Sequence, residues 1–304
     1  MSTSGDTVRT APPTLANPVE TIEQIEHSIH TLVTETGAKG AVVNLSGGID
    51  STVTATLAVR ALGSERVTGL ILPAETNSQA NIDDARLVAE ELVIDSDIIE
   101  IQPLLDAFLK TVSSESYVTK SDPLSRSNGI MTVPTKRRKD VEMALGNAAA
   151  RLRMMIAYFE ANTMDLIVLG TGNYTELQLG YFTKYGDGAC DYLPIGDLYK
   201  SEVRQIASIL DVHQRIIDKP PTAGLLTGQA DELELGASYE QIDTILWNLL
   251  ETDIGVALMA DQTGIDRETI ERFACMIDTA AHKRTGPATA GALLGTDFER
   301  VGSD

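Results

Sequence analysis

The chain has 304 residues, enough for one domain with a sizeable core and few for two catalytic domains. Its 44 acidic residues outnumber 24 basic ones, and the formal charge of −20 argues against a nucleic-acid partner, whose phosphates would be repelled. No apolar run is long enough to span a membrane, and only two cysteines, Cys190 and Cys275, are present; neither a disulfide framework nor a zinc site is expected, and a reducing cytoplasm is.

Residues 1–18 are polar and proline-bearing, and read as a flexible tail. From Val19 to Thr36, Ile22, Ile25, Ile29, Leu32 and Val33 recur at helical spacing. AVVNLS at 41–46 is a buried-strand candidate, followed by a helix over 52–62 that ends at Gly63. VTGLIL at 67–72 predicts a second strand, 78–92 a helix, DIIEI at 97–101 a third strand and 103–112 a short helix. Residues 113–140 lack periodicity and hold a KRRK run, read as a solvated face; this long loop or insertion either orders over a site or is passive. A helix from about Val141 to Asn162 and a strand LIVLG at 166–170 resume the alternation. Glycine-rich loops follow, then a mostly helical stretch from Ser238 to His282, with 291–304 as a C-terminal tail. Strands alternating with helices predict an α/β fold, a doubly wound parallel sheet with helices on both faces, over residues 19–290. The acidic excess is read as a salt-adapted surface, whose self-repulsion screening suppresses.

The segment NLSGGIDS, 44–51, lies between the first predicted strand and its helix. Glycines there let the backbone approach an anion closely, and amides at a helix start favour phosphate. Asp50 does not favour a bare phosphate, so it suggests a shared magnesium ion. The glycine-lysine loop of ordinary ATPases is absent from the sequence.

SGGIDST resembles the pyrophosphatase loop of ATP-cleaving, adenylating synthetases. The later blocks NAAARLRMMIAYFEAN (147–162), GTGNYTELQLGYFTKYGDGACDYLPIGDLYKSEVRQIA (170–207), KPPTAGL (219–225), DELELGASYEQID (231–243) and HKRTGPA (282–288) resemble ammonia-dependent NAD synthetase. That resemblance implies an adenine-nucleotide α-hydrolase-like fold and amidation of nicotinic acid adenine dinucleotide (deamido-NAD), with ATP as co-substrate, through an adenylated intermediate. It implies that Asn44, Leu45, Ser46, Gly47, Gly48, Ile49, Asp50 and Ser51, with Thr171, Lys200 and Thr222, hold ATP. Asp50 and Glu176 become magnesium ligands. Arg151, Lys184, Asp191, His282 and Lys283 hold deamido-NAD, and Asp50, Asp187 and Lys200 serve catalysis.

Outside the resemblance, Lys200 would be a surface lysine, Asp187 a turn acid and His282 an ordinary histidine. Arg151 and Arg153 lie two apart on one helix and cannot share a face, so one serves the ligand and the other the surface or a partner subunit. Lys219 and the prolines 220–221 are expected to fix a loop closing over the nucleotide. Cys190 lies inside the Gly-Ala-Cys-Asp block, and Cys275 on a late helix is expected to be buried. About 40 residues precede the phosphate loop, too few for an amidase domain, so free ammonia is the expected donor unless another chain supplies it. A homodimer through the 147–162 helix is also expected, with no membrane partner.

Overall fold

A computed structural model describes residues 7–112, 135–222 and 231–289. In chain order its main elements are α1 (Pro18–Thr36), β1 (Gly40–Asn44), α2 (Ile49–Leu62), β2 (Val67–Ile71), α3 (Gln79–Glu91), β3 (Asp95–Ile98), α4 (Gln102–Val112) and α5 (Thr135–Met164). Then come β4 (Leu166–Leu169), α6 (Tyr174–Leu179), α7 (Lys200–Ile209), α8 (Gln214–Ile217), α9 (Asp231–Leu235), α10 (Tyr239–Glu251), α11 (Val256–Thr263) and α12 (Arg267–Arg284).

The four strands are parallel, in the order β3-β2-β1-β4. Chain order runs outward from β1 to β3 and then crosses to β4 on the other side. The carboxyl ends of β1 and β4 therefore flank a topological switch point, where sheets of this kind bind ligands.

Alternation along the strands divides the core. Ala41 and Val43 face a cluster with Ile29 and Val33 of α1, Val53 and Leu57 of α2 and Val203 and Ile206 of α7. Val42, Leu70 and Val168 face α4 and α5 through Leu105, Met154 and Ala157. Both faces are covered, so the doubly wound expectation holds. A third cluster, built by Leu179, Tyr239, Ile242, Ile245, Met259 and Phe273, joins α6 to α10, α11 and α12.

Several boundaries differ from the sequence reading. β3 begins at Asp95, because the polar stretch Asp95–Ile98 pairs with β2 at the sheet edge while Ile101 is buried beyond the strand. Helix α5 begins at Thr135, so the last residues of the expected 113–140 loop are helical; residues 113–134 lie outside the described ones, as do 291–304. Cys275 is exposed, not buried, because α12 turns Phe273 and Ile277 toward the core instead.

Residues 8–15, expected as part of a loose tail, lie pinned to the helices. Val8 is buried in the third cluster, and Arg9 and Asn248 exchange two hydrogen bonds, both 2.9 Å. Gln205 of α7 likewise accepts from the Leu15 amide and donates to its carbonyl, while Ser201 donates to the Pro13 carbonyl at 2.8 Å. Low apolar periodicity hid this strap, since its anchors are mostly backbone groups.

Candidate active site

The phosphate loop runs from Asn44 at the end of β1 into α2. Gly47 has φ +72°, and a Cβ there would come within 2.2 Å of the Asn81 carbonyl, so only glycine fits. The loop is laced internally: Ser51 accepts from the Ser46 amide at 3.2 Å, and Ser51 and Thr52 both donate to the Gly48 carbonyl. No side chain caps the start of α2, leaving its amide end for an anion. Asn44 Oδ1 is buried beneath the loop without a protein hydrogen-bond partner. From outside, Lys219 donates to the Gly47 carbonyl at 3.0 Å and pairs with Asp84 at 2.6 Å. Lys219 thus fastens the loop's own backbone. Thr222 stands exposed three residues further on, and residues 223–230 lie outside the described ones.

Beside the loop, three elements converge. Lys200, the first residue of α7, is buried, with a side chain only 2% exposed. Its ammonium pairs closely with Asp50 Oδ2, lies 3.7 Å from Glu176 Oε1 and 5.1 Å from the Tyr239 ring centroid. The plain reading of a surface lysine is therefore excluded. Burial pushes the Lys200 pKa down, but Asp50 and Glu176 outweigh it and hold the ammonium charged. Burial and the neighbouring Asp50 push the Glu176 carboxyl up to about 8.

Burial is the largest cause of that elevation, and Asp231 adds a smaller push in the same direction. Among the described residues no three His, Cys, Asp or Glu side chains gather into a complete metal cage. Two hard carboxylates next to a phosphate loop fit magnesium, whose remaining ligands would be phosphate oxygens and water.

Asn173 organises this centre, and the sequence reading assigned it no role. It is fully buried, donates to Asp50 Oδ1 at 3.0 Å and caps α6 by accepting from the Glu176 amide at 3.0 Å. The Glu176 carboxylate returns a bond from the Asn173 amide, completing a capping box. That Asn-x-x-Glu spacing was the available signal in the sequence.

A cavity of about 50 Å³ opens behind Glu176, lined by Thr171, Gly172, Leu177, Phe182, Asp187 and Leu193 among others. Asp187 reaches it from a turn held by the Thr183 amide, which donates to Oδ1 at 2.9 Å. Surrounding protein, by desolvating the carboxylate, raises its pKa. Leu177, Phe182 and Leu193 give the cavity apolar walls.

The dinucleotide candidates group in part. Arg151 donates to the Lys184 carbonyl at 3.1 Å, and Lys184 donates to the His282 carbonyl. Lys283 donates to the carbonyls of Gly180 and Phe182 at 2.7 and 2.9 Å. Arg151, Lys184 and Lys283 thus gather around 180–184, with His282 joined to them through its backbone carbonyl while its ring meets the Thr279 carbonyl at 2.9 Å. Asp191 is bound elsewhere: its carboxylate accepts from the Val168 amide at 2.8 Å and from Tyr158 at 3.1 Å. Arg153 does not reach out to the surface, as one alternative of the sequence reading had it. It turns inward to the Leu72 carbonyl (2.8 Å) and Asn77 (2.9 Å), fixing the loop after β2.

Comparison with known proteins places most of the chain in one family. The sequence profile of the NAD synthase family matches residues 21–287. The NH(3)-dependent NAD(+) synthetase of Methanocaldococcus jannaschii is 42% identical over 270 residues, covering 89% of this chain and 96% of that protein. The enzyme of the same description from Thermococcus kodakarensis is 40% identical over 266 residues, 88% of this chain and 94% of that one. Among solved structures, an NMN synthetase from Francisella tularensis superposes with a TM-score of 0.73 at 36% identity, covering 90% of this chain and 98% of its own. An NH3-dependent NAD synthetase from Campylobacter jejuni, in complex with nitrate, gives 0.69 at 32% identity, covering 90% and 99%.

Proposed function

This chain belongs to the NAD synthase family, and we propose that its described site amidates deamido-NAD with ammonia at the expense of ATP, releasing NAD, AMP and pyrophosphate. The observation that carries the assignment of roles is Lys200, enclosed by Asp50 and Glu176 beside a phosphate loop.

In the first step an oxygen of the nicotinate carboxylate attacks the α-phosphorus and pyrophosphate leaves. The uncapped amides at the start of α2, from Ile49 to Ser51, hold the departing phosphates, and Lys200 offsets the charge that grows on them. Magnesium, held by Asp50 and Glu176, would neutralise phosphate oxygens when bound. Thr171, in the wall between the acids and the cavity, and Thr222 complete the ATP contacts.

In the second step ammonia attacks the acyl carbon, the carbon–oxygen bond breaks and AMP leaves. Ammonium must first lose a proton. Asp187 lines a cavity of about 50 Å³, room for one small molecule, and its raised pKa suits it to take that proton. Arg151, Lys184 and Lys283 supply positive charge for the pyrophosphate of the dinucleotide, and His282 offers its imidazole as a hydrogen-bonding partner. The carboxylate of Asp191, fastened to β4, fixes that strand's end and offers its exposed edge to ribose or the pyridinium.

A homodimer fits the surface of α5. The helix turns Ala150, Met154, Ala157 and Ala161 into the core and leaves Met155 and Phe159 57% and 67% exposed. That apolar pair suits a twofold copy better than water. Free thiols at Cys190 and Cys275 fit a reducing, cytoplasmic setting.

The test is incubation of the purified chain with ATP, magnesium, ammonium chloride and deamido-NAD at high salt. NAD and AMP in equal amounts support the proposal. ADP in place of AMP contradicts the chemistry, and faster turnover of nicotinic acid mononucleotide contradicts the substrate.

A further inference from the structure

The block DELELGASYEQID ends in Asp243, a residue that has no part in the chemistry above. It lies on α10, fully buried. Its two carboxylate oxygens serve two different elements. Oδ1 accepts from the Thr175 hydroxyl at 2.5 Å, and Oδ2 accepts from the Ser201 amide at 2.8 Å. Thr175 Oγ1 in turn accepts from the Lys200 amide at 3.0 Å.

The first amides of a helix have no partner within the helix, and a local side chain usually caps them. In α7 the residue before the helix, Tyr199, makes no such cap. The amides of Lys200 and Ser201 are satisfied from outside, by Thr175 of α6 and Asp243 of α10. Thr175 directly precedes Glu176. One buried carboxylate therefore ties together the two helix starts that carry Lys200 and Glu176. Lys200 also passes over the ring of Tyr239, one turn earlier on α10.

We propose that Asp243, acting through Thr175, is a positioning residue that sets Lys200 against Asp50 and Glu176; this rests on the reading of Lys200 and Glu176 given above. The hydroxyl geometry allows little substitution. Thr175 uses its proton toward Asp243 and a lone pair toward the Lys200 amide. An amide at 243 keeps one acceptor and presents donors where that hydroxyl also donates. The bond to Thr175 or the bond to Ser201 is then lost, and the start of α7 shifts.

The experiment compares Asp243→Asn, Thr175→Val, Thr175→Ser and the double variant Asp243→Asn/Thr175→Val with the parent chain, measuring kcat and the KM values for ATP and deamido-NAD. Asp243→Asn and Thr175→Val are expected to lower kcat about tenfold or more, since sub-ångström misplacement of a reacting charge is enough for this, with KM values nearly unchanged. The double variant should lose no more than the worse single one, and Thr175→Ser should restore turnover. Folded variants with parental kcat would overturn the proposal, as would raised KM at constant kcat or failure of serine to rescue. Failure of both Asp243→Asn and Thr175→Val to fold would also overturn it, leaving Asp243 a purely structural residue. Lys200→Met in parallel separates the layers: full turnover there defeats the reading of the site itself. A dead Lys200→Met beside a fully active Asp243→Asn defeats only the positioning role.

Discussion

Asn173, the cap residue of α6, donates across 3.0 Å to Asp50 at the start of α2, 123 positions away in the chain. The same side chain caps the helix that carries Glu176. Its removal strips a cap and leaves a partly buried carboxylate oxygen without that donor. Asn173→Ala is expected to lower stability by about 1–3 kcal/mol, from loss of the cap and of a part-buried bond to a charged group. NAD formation should fall further than this instability explains. Chemical denaturation and steady-state rates on the same sample measure both, and a stable, fully active variant would contradict the role.

The phosphate loop was legible because every signal in it is local: an apolar run, a glycine pair and a helix within a few residues. The alternation of elements also survived, with edges moved by a few positions. The burial of Lys200 and the roles of Asn173 and Asp243 were obscure for the opposite reason. Their burial is decided by α6, α7 and α10 meeting near the switch point, which no periodicity within one helix reveals. The strap at 8–15 was missed because it is held through backbone groups, and Arg153 because counting helix faces does not say where a guanidinium bends.

Asp187→Asn should slow turnover about a hundredfold at neutral pH, the usual size of a general-base contribution. Almost all ammonia is then ammonium, and the variant lacks a group to take its proton. In alkaline buffer free ammonia becomes abundant, so the deficit should shrink as pH rises. A pH profile of kcat/KM for ammonium, parent against variant, checks this. A deficit that is constant with pH would leave Asp187 a turn residue.

Thiol chemistry should separate the two cysteines. Burial and then Asp191 push the Cys190 thiol up to about 11, so its thiolate is scarce at neutral pH, whereas Cys275 is exposed on α12. Iodoacetamide followed by peptide mass analysis should find Cys275 modified first and Cys190 only after unfolding. Equal labelling of both in the native protein would contradict the close packing of Cys190 Sγ against Gly170, where an added Cβ would lie 2.6 Å from the sulfur.

Assembly should depend on salt. With a charge of −20 per chain, two copies repel when screening is weak, and the screening length grows from roughly 3 Å at 1 M to 30 Å at 0.01 M. Sedimentation across that range should show a dimer at high salt that weakens at low salt. Phe159→Glu should weaken it at every concentration. A chain that is monomeric and fully active at high salt would remove the α5 interface.

The account turns on transfer of AMP to the nicotinate carboxylate within the Asp50–Lys200–Glu176 centre. Deamido-NAD labelled with oxygen-18 in that carboxylate, converted with unlabelled ATP and ammonium, tests it directly. The acyl carbon–oxygen bond breaks in the second step, so one labelled oxygen should appear in the phosphate of AMP and none in pyrophosphate. AMP free of label, or label found in pyrophosphate, would contradict it.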